Sequence, residues 1–485
     1  MRKLFLSGVA VVALSAGAVA YANQPVFAPK SEVYDMLELF GDALTVIQRN
    51  YVVPVDEKKL IESALDGMVS ALDPHSSYLS PDETKALSET IEGTYGGLGI
   101  EVTSEDGAIK VVTPLDDSPA ARAGLQPGDF ITAIDGKSII GLRQSEAVSQ
   151  MRGVAGTKIK VTIVREGADA PFDVDLTRET IKDQSVKWRM EGDYGVLRIT
   201  KFNKLTAEES EKGLAALKAQ NPAMKGLVLD LRNNPGGLLD QSVKVADLFL
   251  EGGEIVSQRG RKKTDIARYN ATRGDVLKGL PMVVLVNQGS ASAAEIVAGA
   301  LQDHKRAPIV GLTSFGKGSV QQEFRLSETR GLKLTTARYY TPSGRSIQRT
   351  GIEPDLEVAQ SREQAKLIAS SSFQFSEAAY RNALDADEGK ARRGEHEVSE
   401  IPPEGYDVKT GDFQLVRAFD VLAAKGDIQA VMNNRRGKAV AAADLVEKPG
   451  ARFEKGGKSA DKSKDKAADK PADKPAQAPS TEPKK

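Results

Sequence analysis

Strand-like and helix-like stretches alternate through the middle of this chain, and that alternation constrains the fold more than any other feature. Tyr194–Ile199, Gly226–Arg232, Met282–Val286 and Ala307–Val310 read as short strands, the third an uninterrupted apolar run. Thr206–Gln220, Leu239–Leu250 and a stretch from about Ser292 to Asp303 read as helices between them. Strand–helix–strand–helix order predicts a parallel or mixed sheet with helices on its faces. The expected class is therefore α/β (α+β) and multidomain, since 485 residues make room for about three domains.

One part of this region carries chemistry. After the strand Met282–Val286, a turn at Asn287-Gln288-Gly289 leads through small residues into the helix that begins near Ser292. A helix start points N–H groups outward and is electropositive, which suits a serine oxygen whose attack creates an oxyanion. Beyond the strand Ala307–Val310 stands a glycine-flanked lysine, Phe315-Gly316-Lys317-Gly318. Ser292 and Lys317 are read as a catalytic dyad. A serine hydroxyl needs a base, and the chain has only 3 histidines. His304 follows Ser292 on the same helix, about 18 Å away at roughly 1.5 Å per residue. His75 lies in a Pro/Ser-rich turn and His396 in a polar segment, so a Ser-His-Asp triad would need a distant tertiary contact. Lysine can serve instead when burial strips its hydration and lowers its pKa, and Ser-Lys pairs are a variant of the triad logic. Gln321, four residues past Lys317, can hold the amine in line by a hydrogen bond.

Other readings compete. Small residues from Gly289 to Ala294 also cap helices and permit close packing, and a Gly-Lys-Gly loop is often a solvated turn. Gly311 to Lys317 matches the opening positions of a phosphate-binding P-loop, but Gly318 stands where Ser or Thr would hold magnesium. Spacing alone does not choose Ser292 over Ser290.

The stretch NQGSASAAEIVAGALQDHKRAPIVG, followed by FGKGSVQ, resembles the active-site region of the carboxy-terminal processing proteases, also called tail-specific proteases. The resemblance implies that Ser292 is the nucleophile, Lys317 the base and Gln321 the residue orienting it. Ala294 stands where many members carry another serine. Asp230 to Gly237 is similar to the family's DLRxNxGG signature, which implies an oxyanion hole built from the amides of Gly236 (or its neighbour Gly237) and Ala293. Glycine fits there because a side chain would block backbone approach to the carbonyl. The implied catalytic core, over 171–360, is a mixed-sheet, crotonase-like domain. Tyr340–Gln348 and Gly351–Asp355 also resemble the family, as the edge of the substrate groove and the chain's return to the body.

The flanks add context. Residues 1–22 have the three regions of a cleaved signal peptide: Arg2 and Lys3, an apolar run to Ala20, and small residues before Asn23. An uncleaved membrane anchor is the competing reading, though the run is short for a span. Export makes the absence of cysteine informative, because the fold then holds without disulfides. A formal charge of -1 implies no global pull toward nucleic acid. Residues 31–90 are expected to be helical, with Leu37, Phe40, Leu44, Ile47 and Tyr51 at i, i+3, i+4 spacing. Asp73-Pro74-His75-Ser76-Ser77-Tyr78 reads as a turn in which His75 is structural.

Residues 91–170 resemble a PDZ domain, through Tyr95-Gly96-Gly97-Leu98-Gly99-Ile100 and the phrase AGLQPGDFITAIDG. Successive N–H groups over Gly97, Leu98, Gly99 and Ile100 can receive a C-terminal carboxylate, the peptide adding as a strand beside the helix at 145–151. Residues 361–446 form a C-terminal region with helices at Phe413–Ala424 and Ile428–Asn433, and 447–485 is a Lys/Asp/Ala/Pro-rich tail that cannot bury a core.

These readings describe an exported serine endopeptidase of the periplasm or cell envelope that cleaves proteins at or near unstructured C-terminal tails. No metal or other cofactor is implied. Expected partners are tail-bearing protein substrates, a second copy of the chain or a larger homo-oligomer and, by resemblance, a helical-repeat adaptor; nucleic acid is not among them. The alternative is a non-catalytic PDZ scaffold that holds protein C-termini.

Overall fold

Leu227 and Leu229 belong to one apolar core and Val228 to another, the period-2 alternation of a strand covered on both faces. The computed structural model describes residues 32–433 apart from 106, 116, 372–375, 387–397 and 408–410. The signal-peptide segment, His396 and the tail from 447 lie outside the described residues.

The N-terminal region holds α1 (Glu32–Asn50), α2 (Glu57–Ser70), β1 (Ser77–Leu79) and α3 (Pro81–Glu92). The Ser80-Pro81 start signal works as read: Ser80 and Glu83 form a reciprocal capping box, and Gly93 ends α3 in the left-handed conformation. Helix α1 buries no residue, and Leu37, Phe40 and Ile47 on it are exposed.

Next come β2 (Thr94–Gly97), β3 (Ile100–Glu105), β4 (Ala108–Pro114), α4 (Pro119–Arg122), β5 (Phe130–Ile134), β6 (Lys137–Ser138), α5 (Gln144–Met151), β7 (Lys158–Val164), β8 (Phe172–Thr177) and β9 (Glu179–Lys182). Their sheet runs β3-β4-β5-β7-β8, with β6 on β5. It encloses its own core, including Ile109, Ile131, Val161 and Ile163. Strands β2 and β9 pair antiparallel, so the chain enters and leaves this unit side by side, as an inserted domain requires.

The rest comprises β10 (Val186–Glu191), β11 (Tyr194–Ile199), α6 (Thr206–Gln220), β12 (Gly226–Asp230), α7 (Leu239–Asp247), β13 (Gly253–Gly260), β14 (Ile266–Ala271), β15 (Met282–Val286), α8 (Ala293–Asp303), β16 (Ile309–Gly311), β17 (Ser319–Arg325), β18 (Gly331–Tyr340), β19 (Leu356–Glu357), α9 (Arg362–Ser371), α10 (Phe413–Ala423) and α11 (Ile428–Asn433). A six-stranded sheet runs β10-β11-β12-β15-β16-β19, parallel except for β10. Helices α6, α7 and α8 cover one face, and α10 covers the other through Phe413, Leu415, Val421 and Leu422. The mixed α/β class holds. A second sheet, β1-β18-β13-β14 with β17 also on β18, brings the N-terminal region against the core. Strands β13 and β14 escaped the sequence reading because polar residues interrupt them (GEIVSQRG, IARYNA), the mark of a half-exposed hairpin.

A buried ionic cluster joins α10 to the sheet. Asp230 Oδ1 accepts Arg232 Nε at 2.9 Å, and its Oδ2 accepts Arg232 Nη2 and Arg198 Nη1 at 2.8 Å. The opposite edge of the Arg232 guanidinium donates to Asp412, the N-cap of α10, at 2.8 and 2.7 Å. Burial alone would raise the Asp230 carboxyl, but the two arginines hold it below the usual range. Replacing Arg232 by methionine would leave the buried Asp230 with Arg198 alone and remove the ion pair of Asp412. The expected loss is about 3–5 kcal/mol, read as a lower denaturation midpoint with α10 loosened from the sheet.

Candidate active site

Strands β12, β15 and β16 are parallel neighbours, so the turns that follow them meet at one end of the sheet. The first turn carries Asn233 to Gly237, the second Asn287 to Ser292, the third Leu312 to Gly318. Main-chain hydrogen bonds stitch them together: Ala291 N donates to Asn234 O and Phe315 N to Ser290 O, both at 2.9 Å.

The two candidate serines part ways here. Ser290 is fully buried, and its hydroxyl donates to Leu231 O at 2.8 Å while accepting Asn287 N at 2.9 Å. It is committed to holding the turn. Ser292 keeps 9% exposure and sits at the N-terminus of α8 with φ of +52°. For a residue with a Cβ that backbone costs about 1–3 kcal/mol and persists only where its surroundings hold it.

What holds it is Glu295, which is completely buried. Its Oε2 accepts the Ser292 N–H at 2.7 Å and the Lys317 N–H at 2.9 Å; its Oε1 accepts Gly316 N at 2.7 Å and Ser314 Oγ at 2.5 Å. Burial pushes the Glu295 carboxyl up to about 7, against the pull of these four donors. The lysine loop is fixed on its far side too: Gly318 N donates to Gln348 Oε1 at 2.9 Å, and a Cβ on Gly318 would lie 2.4 Å from Gln348 N. The glycine after the lysine is thus a packing requirement.

The Lys317 amine has no hydrogen-bond or ion-pair partner among the described residues, and no hydrogen bond joins it to the Ser292 hydroxyl. Burial holds it below the ordinary lysine range, with the Lys333 charge adding to the effect. Glu377, Glu295 and Asp73 pull the other way. Gln321 does not touch it: Nε2 donates to Ser319 Oγ at 3.0 Å and to Thr335 Oγ1 at 3.1 Å. Both donor hydrogens are therefore spent, and the carbonyl end of the amide is the part left to meet an ammonium.

The glycine pair needs a correction. The Gly236 N–H donates to Asn234 Oδ1 at 2.9 Å, so it is not free to receive an oxyanion. Among the described residues Gly237 N–H and Ala293 N–H have no acceptor. Gly236 is required for a different reason: a Cβ there would lie 2.8 Å from Ser292 Cβ and 3.0 Å from Ala293 N. The P-loop reading of the lysine loop fails, and two of the three histidines are engaged with other partners. Lys317 leads into strand β17, not into the helix that a P-loop opens. His304 Nε2 lies 2.7 Å from Glu254 O and His75 Nε2 2.7 Å from Glu377 Oε2.

In the inserted domain, β3 is an edge strand and faces α5 across a cleft of about 100 Å³. Gly97, Leu98, Gly99, Ile100, Val102, Val148 and Met151 line it. The N–H groups of Leu98 and Gly99 donate to no described residue. Gly97 belongs instead to β2, which pairs with β9. An open edge with two free N–H groups at its start can take an extended peptide by its carboxylate.

Residues 193–358 match the family model described as Peptidase family S41, residues 96–176 that of the PDZ domain, and residues 16–84 that of the activating protease CtpB N-terminal domain. A carboxy-terminal-processing protease of Bartonella bacilliformis is 51% identical over 354 residues, covering 73% of this chain and 82% of that protein. The chain belongs to the carboxy-terminal-processing protease family. A probable CtpA-like serine protease of Staphylococcus haemolyticus is 38% identical over 65% of this chain and 64% of that protein. Among solved structures, the photosystem II D1 C-terminal processing protease is 30% identical over 66% of this chain and 92% of that one, with a TM-score of 0.39. Membership makes this chain a C-terminal processing serine protease with a PDZ domain, which displaces the scaffold alternative.

Within this carboxy-terminal-processing protease the sequence reading passed over Glu295. The signal was present, since Ser292 and Glu295 stand in the spacing of a capping box. That motif says only that the glutamate reaches back to its own helix start. That it also gathers the lysine loop, 22 residues further on, is a tertiary fact.

Proposed function

We propose that this protease works through a Ser292–Lys317 dyad on proteins with unstructured C-terminal tails, outside the cytoplasm. One observation carries the pairing. A single oxygen, Glu295 Oε2, accepts the main-chain N–H of both residues, which holds their backbones side by side across 25 positions of sequence and supports the pairing. In the reaction, neutral Lys317 Nζ removes the Ser292 Oγ proton as Oγ bonds to the scissile carbonyl carbon. The carbonyl oxygen becomes an oxyanion facing the N–H groups of Ala293 and Gly237. The lysine ammonium then gives its proton to the leaving amine as the C–N bond breaks, leaving an ester on Ser292. Water, deprotonated by the same amine, hydrolyses that ester and restores the hydroxyl.

Gln321 fits the role of orienting the ammonium with its carbonyl oxygen. The Leu98–Gly99 amides and the β3 edge fit the capture of a tail. The exposed apolar face of α1 fits a homodimer contact. Export rests on the segment 1–22, which places the mature N-terminus at Asn23; no described helix is long and apolar enough to cross a membrane.

Incubation with a tail-bearing protein should yield fragments whose masses place the cut at or near the tail, whereas an intact substrate would remove the reading. Amidating the substrate's C-terminus should raise KM about 10-fold or more, because a charge-assisted hydrogen bond is worth about 1.5–3 kcal/mol. An unchanged KM would take the tail-binding role away from the inserted domain.

A further inference from the structure

The sequence marks Asp73–Tyr78 as a turn in which His75 is structural. The turn lies against the base side of the active site, 241 positions before Ser314 in sequence, and makes more polar contacts there than a connector needs. We propose that this turn, through Asp73, positions Gln321 and the loop carrying Lys317, so that the N-terminal helical region completes the base side of the site. The proposal rests on the dyad reading.

Two chains of contacts leave the turn. The first runs to Gln321. Asp73 is buried; its Oδ1 accepts His75 N at 2.9 Å, Ser76 N at 3.0 Å and Thr335 Oγ1 at 3.1 Å, and its Oδ2 accepts Ser76 Oγ at 2.6 Å. Ser76 Oγ in turn accepts Thr335 N at 3.0 Å. The Thr335 hydroxyl, its proton given to Asp73, offers its lone pair to Gln321 Nε2 at 3.1 Å. Asp73 thereby sets which way the Thr335 hydroxyl points, and Thr335 sets which end of the Gln321 amide faces the lysine. Strand pairing reinforces the link: β1 follows the turn and pairs with β18 at Ser77–Lys333, while β17 pairs with β18 at Gln321–Thr335.

The second chain runs to the lysine loop. His75 Nε2 lies 2.7 Å from Glu377 Oε2, and the other oxygen of that buried carboxylate accepts Gln348 Nε2 at 3.0 Å. Gln348 Oε1 accepts Gly318 N at 2.9 Å, and Glu377 N donates to Phe315 O at 2.9 Å. Both ends of the Phe315–Gly318 loop are thus tied to the residue that His75 holds. The charges facing the Lys317 amine are Lys333 on β18, Glu377, Glu295 on α8 and Asp73. Asp73 favours the ammonium, so its removal makes the amine easier to deprotonate.

The test uses the full-length protein and a tail-bearing substrate, with folding followed by thermal melting. Asp73→Asn should lower kcat at least about 10-fold, since small misplacements of catalytic groups cost up to about 100-fold. KM should stay within about 2-fold. The acid limb of the pH–rate profile should move to lower pH, a shift that a merely structural defect does not produce. Thr335→Val leaves the charge in place, so it should lower kcat and leave the limb where it is; Thr335→Ser, which keeps the hydroxyl, should recover most of that loss. If Asp73→Asn does not fold, the Thr335 pair decides by itself: equal kcat in the valine and serine variants overturns the proposal. A folded Asp73→Asn protein with wild-type kcat and pH profile also overturns it. Ser292→Ala run alongside separates the two claims. Cleavage by that variant removes the dyad reading, whereas an inert Ser292→Ala beside a fully active Asp73→Asn removes only the positioning role.

Discussion

Ser292→Ala and Lys317→Ala each lower kcat/KM on a tail-bearing protein by about 10⁴-fold or more, and the double variant is no slower than either single one. Residues that act as a unit in proton transfer and attack show this non-additivity, because either loss alone stops the step both serve. Lys317→Arg is inactive as well, since a guanidinium does not give up its proton in the working range. The rate of the wild-type enzyme rises with pH through the depressed pKa of the Lys317 amine, because only the neutral amine takes the serine proton and burial favours that form. The measurements are fragment yield by mass spectrometry and kcat/KM followed as the pH is raised toward the ordinary lysine range. A flat profile, or an Ser292→Ala protein that cleaves, contradicts the dyad.

Gly236→Ala costs both stability and turnover, and turnover more. The residue has φ of +100°, and an added Cβ would press on Ser292 Cβ at 2.8 Å, Ala291 O at 2.8 Å and Ala293 N at 3.0 Å. Two of those atoms are main chain and cannot swing aside, so Ser292 or the Ala293 amide has to move. Losing one oxyanion donor costs about 10²–10³ in kcat, and the strained backbone adds about 1–3 kcal/mol of destabilisation. The expected result is a protein that still folds, with a lower melting temperature, a kcat down by about 10²-fold or more and a little-changed KM. A variant that loses only stability would place Gly236 in the scaffold alone.

Much of this was legible in one dimension because it is local. Apolar runs and their spacing gave β12, β15 and α6 with their observed starts, since a strand buried on both faces is mostly apolar along its length. The short phrases around Ser292, Lys317 and Gly237 were recognisable because each turn must pack main chain against main chain, which leaves few residue choices. The half-exposed strands β13 and β14 were not legible, because a solvent-facing hairpin tolerates the polar residues that erase the pattern. Nor was the service α10 performs as the cover of the second sheet face, because an amphipathic helix does not declare which surface it will cover.

Residue order was enough to name the family and to put Ser292 and Lys317 forward as the proposed nucleophile and base. It left three matters to the folded chain: that Gly237 and not Gly236 has a free amide, that Glu295 gathers the serine and the lysine on one oxygen, and that Asp73 reaches Gln321 through Thr335. Each depends on which lone pair or proton is already spent. That is settled between segments tens to hundreds of residues apart, when parallel strands bring their turns together and water is expelled from between them.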